Sequence, residues 1–165
     1  MKKIEMTLTY FILDNRILLP LKKKKIGKGK HNGVGGRLEI GETHEVAMVR
    51  ECVEEVGVRP IEYDYVAEIV CNNLANNEQA IVHVYICKAW IGTFVETEEM
   101  KPHWFDLSEI PLMFEQEKMM DNDKEWLPLV LDGKKVQASF DLDENYKIIK
   151  INYINEMESL QKVLN

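Results

Sequence analysis

Residues 36–58 read GRLEIGETHEVAMVRECVEEVGV, and this stretch decides how the rest of the chain is interpreted. A helix is expected here because Thr43 is a favourable N-cap and Gly57 a favourable C-terminal stop. Apolar residues recur between them at helical spacing, at Val46, Val49, Val53 and Val56. On a helical wheel these valines occupy one arc, and three glutamates occupy the opposite arc.

The three glutamates are Glu51, Glu54 and Glu55, and their spacing of i, i+3 and i+4 places the carboxylates on one patch. Like charges at these spacings cost about a few tenths of a kcal/mol per pair, and the helix dipole disfavours anions near a C-terminus. Arg50 is the only lysine or arginine between Thr43 and Val56. Taken alone, the pattern allows a solvated acidic face or a site for a hard divalent cation, which prefers oxygen ligands.

Strand patterns surround this helix on both sides. Alternating apolar residues predict strands over 4–12 and 17–21, with a turn at 14–15. The later elements are predicted as strands over 63–71, 79–90 and 94–105, a short helix over 124–131, a hairpin of 135–141 with 146–151, and a C-terminal helical extension over 155–165. This order predicts a single domain over residues 1–165 of the α+β class, an α/β/α sandwich in which helices flank a mixed β-sheet.

The composition limits the classes of function. The 165 residues carry a formal net charge of −7, which argues against a broad electrostatic grip on duplex nucleic acid. No apolar run approaches membrane-spanning length and no signal-peptide region forms, so we expect a cytoplasmic protein with no membrane partner. The three cysteines, Cys52, Cys71 and Cys87, do not read as a disulfide framework and are expected to be small buried residues.

Glycines and charged residues around the helix follow a fixed spacing. Five residues separate Gly36 from Glu42, and seven residues separate Glu42 from Arg50. The pattern then continues from Arg50 to Val58 without a gap. Over these 23 residues the sequence resembles the signature box of the Nudix hydrolase family. Only Cys52 is unusual, because the family generally has a larger aliphatic residue at that position.

The resemblance implies catalytic roles for Glu51, Glu54, Glu55 and Arg50. In the family, the counterparts of the three glutamates bind one or more Mg²⁺ ions beside Gly36, and the arginine holds a glutamate in position. Mn²⁺ is an expected substitute for Mg²⁺. The metal then serves as a Lewis acid and one glutamate serves as the base. The sequence does not distinguish which glutamate that is.

A second resemblance covers most of the chain and is to the MutT-homologue branch of the family, whose enzymes hydrolyse oxidised purine nucleoside triphosphates. Residues 27–33 (GKGKHNG) and 98–105 (EEMKPHWF) are among the segments that carry it. By this match Glu99 is an additional metal-proximal glutamate. The implied substrate-binding residues are Thr7, Lys22, Asn32, Gly35, Gly36, Met120, Asn122 and Asp123.

The chain departs from that branch where the base would bind. Met120 stands in place of a stacking tryptophan, and Cys71 and Asn73 stand at two aromatic pocket positions. Asn122 replaces one aspartate of a base-reading pair, and an amide offers a donor as well as an acceptor. The chain therefore keeps the residues that the resemblance assigns to catalysis, and it has replaced several of those that the resemblance assigns to base recognition.

The expected activity is Mg²⁺-dependent hydrolysis of nucleoside triphosphates to nucleoside monophosphate and pyrophosphate. Oxidised purines such as 8-oxo-dGTP are the expected substrates, which would place the activity in nucleotide-pool sanitation and DNA repair. Two alternatives stay open: a Nudix hydrolase of another nucleoside diphosphate derivative, such as a nucleotide sugar or ADP-ribose, and a non-catalytic Nudix-fold ligand sensor. A monomer or weak homodimer is expected.

Overall fold

The computed structural model describes residues 1–157. Within that range the chain forms nine β-strands and three α-helices. The strands are β1 (Lys2–Leu13), β2 (Arg16–Leu18), β3 (Leu21–Lys22), β4 (Arg59–Asn73), β5 (Glu78–Ile91), β6 (Met100–Lys101), β7 (Trp104–Asp106), β8 (Lys135–Leu142) and β9 (Ile148–Met157). The helices are α1 (His44–Val56), α2 (Ile110–Glu115) and α3 (Asp123–Leu131). Among these residues no helix is both long enough and apolar enough to cross a membrane.

Seven strands form one mixed sheet in the order β7-β2-β1-β5-β4-β8-β9. β1 runs parallel to β5 and β4 runs parallel to β8, whereas the other neighbours are antiparallel. The long central strands β4 and β5 are rich in β-branched and aromatic residues, which favour the pleated conformation. β3 and β6 form a separate antiparallel pair, which places Lys22 opposite Met100.

Helices cover both faces of this sheet. Side chains alternate between the two faces along each strand. Tyr10 therefore lies in a buried cluster with residues of α2 and α3, whereas its neighbour Phe11 lies in a second cluster with residues of α1. The predicted α+β architecture, a mixed sheet between helical layers, is confirmed.

Helix α1 has the predicted ends but presents a different face to the protein. Thr43 Oγ1 accepts a hydrogen bond from Val46 N at 3.2 Å, and Gly57 closes the helix with a left-handed φ of 78°. The buried side chains are Ala47, Met48, Glu51, Cys52 and Val56. Val46 and Val53 are instead 56% and 48% exposed. Half of the valine arc, Val46 and Val53, therefore faces outward, and part of the acidic arc faces inward.

Other predicted elements need correction at their boundaries. The strand predicted over 94–105 contains only the short strands β6 and β7, because Pro102 between them has no N–H to donate to a ladder. Residues 155–157 belong to β9 and pair with β8, so the prediction of a C-terminal helix is wrong for them. Residues 158–165, the rest of that predicted helix, lie outside the described residues.

The cysteines follow the prediction in two cases of three. Cys52 and Cys87 are buried, as expected of small apolar side chains. Cys71 is only half-buried, because it lies in the wall of the cavity described below.

Candidate active site

The glycine-rich turn over residues 33–36 lies along β1, where Thr7 N donates to Gly36 O at 2.9 Å. Gly35 passes so close to this strand that a Cβ atom would lie 1.8 Å from the carbonyl oxygen of Thr7. A Cβ atom on Gly36 would lie 2.6 Å from Glu51 Oε1. Gly35 requires glycine because backbone atoms already occupy the space of a side chain, whereas a side chain at Gly36 would displace the Glu51 carboxylate.

Arg50 connects the acidic residues of this segment. Its Nε and Nη2 donate to the two carboxylate oxygens of Glu42 at 2.6 and 2.9 Å. Its Nη1 donates to Glu51 at 2.9 Å and to Glu54 at 3.2 Å. The hydrogen-bonded guanidinium lowers the pKa of the Glu42 carboxyl to about 2. Such charge-assisted, bidentate contacts fix geometry, so Arg50 sets the positions of Glu42 and Glu51.

Glu51 and Glu55 line one side of the cavity beside the glycine turn. Glu51 is 9% exposed, and Glu55 accepts a hydrogen bond from Gly35 N at 3.4 Å. Burial raises the pKa of Glu55 to about 8, and the neighbouring Glu51 carboxylate adds to the rise. Two carboxylates in one half-buried site resist being ionised together. A bound cation would offset that cost.

Glu99 reaches the same cavity from the loop before β6. The loop after β3, residues 23–30, is rich in lysine and is called the basic loop. Its lysines pair in order with glutamates of the loop before β6: Lys23 with Glu96, Lys24 with Glu98 at 3.3 Å, and Lys25 with Glu99 at 4.0 Å. Exposed ion pairs contribute little stability by themselves. The backbone joins the two loops more directly, since Lys23 N donates to Glu99 O at 3.0 Å. These contacts hold Glu99 against the basic loop.

Lys22 is a basic group at the acidic end of the cavity, which Glu51, Glu55 and Glu99 form. It lies in the cavity wall together with Glu55 and Glu99. Burial lowers the pKa of its ammonium group, and Glu55 opposes that shift. A half-buried ammonium beside two carboxylates is suited to an anionic ligand that carries phosphate groups.

The acidic residues were tested for their fit to a metal ion. Within residues 1–157, no three His, Cys, Asp or Glu side chains stand together as a ready metal-binding cluster. Arg50 holds both Glu51 and Glu54 through hydrogen bonds. The donor chemistry fits a hard divalent cation, since carboxylates from α1 and from Glu99 line one cavity next to Gly36. Glu54 is the exception, because its side chain is 58% exposed and lies outside the cavity wall.

The opposite end of the cavity is polar and buried. Asn122 and Asp123, at the start of α3, are 6% and 4% exposed. Asn32 Oδ1 accepts hydrogen bonds from Tyr10 OH at 3.3 Å and from Gly33 N at 2.8 Å. Among the described residues, Asp123 Oδ2 has no hydrogen-bond partner. An unpaired buried acceptor is costly, so this end fits a ligand with a hydrogen-bonding edge.

One cavity of about 1000 Å³ joins the two ends, which is large enough for a nucleotide. The predicted site residues in its wall are Thr7, Lys22, Asn32, Gly35, Gly36, Arg50, Glu51, Glu55, Glu99, Met120, Asn122 and Asp123. Sequence reasoning missed several wall residues, including Leu8, Ile69, Val82, Leu142 and Tyr146. Strand alternation was the only signal for the first four. Tyr146 lies in the β8–β9 turn and carried no signal of a site.

Asp123 gives the folded protein a pH dependence. Burial raises the pKa of its carboxyl to about 7. In the unfolded chain this group loses its proton near pH 4. Between about pH 4 and pH 7 the folded state therefore binds more protons, and the free energy of unfolding falls as the pH rises. We expect Asp123→Asn to melt several degrees above the wild type at pH 8 and at about the same temperature at pH 5.

Differential scanning calorimetry at both pH values measures this difference. Asp64→Asn is the matched control, because Asp64 is exposed on β4. The wild type and both variants share the titration of every other group, including Glu55, so those contributions cancel. The same difference in melting temperature at pH 5 and pH 8 would contradict the assignment to Asp123.

The fold and the site together define a class of protein: an α+β domain that presents buried carboxylates and a glycine turn to a ligand in a deep cavity. The family model described as NUDIX domain matches residues 6–130. The chain therefore belongs to the NUDIX family, and the resemblance seen in residues 36–58 is confirmed. Hydrolases of this family generally use a divalent metal.

Known relatives extend the match beyond the family model. A protein of Danio rerio named oxidized purine nucleoside triphosphate hydrolase is 32% identical over 155 residues, which cover 94% of this chain and 96% of the relative. A protein of Methanocaldococcus jannaschii named ADP-ribose pyrophosphatase is 32% identical over 115 residues, which cover 68% of each chain. The crystal structure of a MutT protein from Bacillus halodurans superposes with a TM-score of 0.77 at 15% identity, covering 92% of this chain and 97% of that one. That structure supports the fold alone.

Proposed function

We propose that this protein hydrolyses oxidised purine nucleoside triphosphates, such as 8-oxo-dGTP, to the nucleoside monophosphate and pyrophosphate. The observation that carries the proposal is the single cavity, which has carboxylates and Lys22 at one end and buried amide and carboxyl groups at the other. A nucleoside triphosphate is divided in a matching way, with an anionic phosphate chain at one end and a hydrogen-bonding base at the other. The relative from Danio rerio, similar over almost its whole length, is named for this substrate class.

The proposed metal is Mg²⁺, with Mn²⁺ as a substitute. Glu51, Glu54, Glu55 and Glu99 would hold it, with Gly36 alongside. When bound, the metal would supply Lewis-acid polarisation of the phosphate groups and charge neutralisation. Arg50 keeps the Glu51 carboxylate over Gly36 through its 2.9 Å hydrogen bond.

The side chains of the protein would perform the other steps, which are binding of the phosphate chain and proton transfer. Lys22 binds and orients the phosphate chain by charge. A glutamate of the α1 cluster accepts the proton of the attacking water as general base. The tight passage of Gly35 along β1 holds the glycine turn beside α1, where Gly35 N donates to Glu55 at 3.4 Å.

The base is proposed to bind against Asn32, Asn122 and Asp123. A buried acceptor without a partner, such as Asp123 Oδ2, discriminates between bases that do and do not offer a donor to it. Oxidation of guanine to its 8-oxo form changes N7 from an acceptor to a donor. With the N7 edge of the base facing Asp123 Oδ2, this buried acceptor would favour the oxidised purine over the unmodified base.

Purified protein assayed against a nucleotide panel tests the proposal. The panel contains 8-oxo-dGTP, dGTP, dATP, ADP-ribose and a nucleotide sugar, each with Mg²⁺. We expect pyrophosphate release from 8-oxo-dGTP at the highest kcat/KM, and complete loss of turnover after chelation by EDTA with recovery on added Mg²⁺. Turnover that survives full chelation would contradict the proposed metal.

A second candidate function is hydrolysis of ADP-ribose, which the name of the relative from Methanocaldococcus jannaschii favours. Production of AMP and ribose phosphate from ADP-ribose, at a higher kcat/KM than any triphosphate, would select it. The non-catalytic sensor is disfavoured because every box glutamate is present. We further propose a cytoplasmic monomer or weak homodimer with a small-molecule nucleotide as its ligand.

A further inference from the structure

Aromatic side chains are scarce in the cavity wall. Among the described residues that form it, the aromatic members are Trp126 and Tyr146. Trp126 is 1% exposed and packs edge-on against Tyr10 at a centroid distance of 6.2 Å. Tyr146 is half-buried, so it is the more exposed of these two aromatic wall residues.

The backbone of Tyr146 adopts a conformation that tyrosine rarely takes. Its φ is +60°, in the left-handed region where the side chain crowds the following carbonyl. Asp143 closes the turn around it, since its Oδ1 accepts from Asn145 N at 2.8 Å and from Lys147 N at 3.0 Å. Glycine is the usual residue at such a position after a tight hairpin turn. A bulky aromatic residue held there is the kind of local strain that accumulates at functional sites.

The turn is attached to the segment that carries the base-reading residues. Ile148 N donates to Asp121 Oδ2 at 2.9 Å, and Asp121 lies between Met120 and Asn122 in the chain. Lys147 Nζ donates to Glu117 of the same segment at 2.8 Å. The position of the tyrosine ring is thus tied to the position of the residues that would contact the base.

We propose that Tyr146 is a substrate-binding residue whose ring packs against the purine base of the bound nucleotide. This inference rests on the proposed function, because it takes the polar end of the cavity as the base site. Stacking a base on an aromatic ring contributes binding without reading its edge. Asn122 and Asp123 would then select the base, while Tyr146 would supply affinity for any purine.

Isothermal titration calorimetry with purine monophosphates tests the role of Tyr146 without turnover or metal. The probes are 8-oxo-dGMP, dGMP and dAMP, and the variants are Tyr146→Phe, Tyr146→Ala and Tyr146→Gly. We expect Tyr146→Ala and Tyr146→Gly to weaken binding by about tenfold or more for each purine, and Tyr146→Phe to stay within about twofold. The control is Tyr153→Ala, because Tyr153 lies on β9 and is 41% exposed.

Thermal melting separates this role from a structural one. Both small variants lose the packing of the ring against the core, but glycine accepts a φ of +60° without strain, so Tyr146→Gly should melt above Tyr146→Ala despite equally weak binding. In steady-state assays KM should rise by the same factor as the Kd, with kcat nearly unchanged. Binding within twofold of wild type in folded Tyr146→Gly and Tyr146→Ala would overturn the inference. So would an equal loss in Tyr146→Phe, since that would indicate a contact through the hydroxyl group.

The result of the binding experiment on Tyr146 is independent of the result of the hydrolysis assay. If the monophosphates bind and the variants lose them while no triphosphate is hydrolysed, the proposed function fails and the role of Tyr146 stands. If triphosphates are hydrolysed and the variants bind normally, the proposed function stands and the role of Tyr146 fails.

Discussion

Glu51→Gln is expected to lower kcat by at least about a hundredfold while leaving the fold intact. Glu51 is buried above Gly36, where Arg50 fixes its carboxylate, so an amide there removes a negative charge from the centre of the acidic end. A hard divalent cation binds an amide oxygen more weakly than a carboxylate. The fold should persist because glutamine has nearly the same shape and relieves repulsion with Glu55. Steady-state kinetics with saturating Mg²⁺ measures the first effect, and thermal melting measures the second.

Glu98→Gln is the matched control, because the Glu98 side chain is 89% exposed and pairs only with Lys24 among the described residues. It should keep at least half of the wild-type kcat. Glu54→Gln adds information, since the exposed Glu54 side chain lies outside the cavity wall but inside the predicted metal set. Unchanged turnover in that variant would remove Glu54 from the set. Unchanged turnover in Glu51→Gln would contradict the acidic end as the catalytic centre.

Gly35→Ala is expected to lower the free energy of unfolding by about 3 kcal/mol or more. The added Cβ would stand 1.8 Å from the carbonyl oxygen of Thr7, which is backbone and cannot rotate away. The glycine turn would have to separate from β1 and break the hydrogen bond from Thr7 N to Gly36 O. In a chain of this size the loss corresponds to a decrease in melting temperature of about 10 °C. Thermal and urea denaturation followed by circular dichroism measure it.

Gly29→Ala is the control for this steric effect. Gly29 has a φ of +85° and nothing within 4 Å of an added Cβ, so alanine there adds only local backbone strain of about 1–2 kcal/mol. Its melting temperature should fall by clearly less than that of Gly35→Ala. If the two variants melt together, close packing of the turn against β1 is not what makes glycine necessary.

Helix α1 shows what the sequence could and could not predict. Thr43 and Gly57 marked its ends correctly, because capping depends on local chemistry. The buried face was harder to predict, because helical periodicity shows where apolar residues recur and not which elements they pack against. Met48 and Cys52 pack into the core, and this turns Glu51 inward. Four regularly spaced valines suggested the other face, although Val46 and Val53 lie at the surface.

The cavity was predictable where a motif marked it and not elsewhere. The acidic and amide residues selected from the sequence as site residues line the wall, except Glu54, but Glu39 and Glu78 also line it and were not selected. Tyr146 could not be selected, because its place depends on the pairing of β8 with β4 and on the docking of the turn to Asp121. The C-terminal boundary failed for a similar reason. Residues 155–157 gain backbone partners on β8, and this tertiary pairing overrides the local helical pattern.

Hydrolysis of 8-oxo-dGTP by the wild-type protein with Mg²⁺ tests the central claim most directly. The products are to be separated by anion-exchange chromatography, and kcat/KM is to be compared with that for dGTP in the same preparation. The proposed function predicts 8-oxo-dGMP and pyrophosphate in equal amounts, with a higher kcat/KM for 8-oxo-dGTP. Release of inorganic phosphate with a nucleoside diphosphate, or no hydrolysis of 8-oxo-dGTP by folded protein, would contradict it.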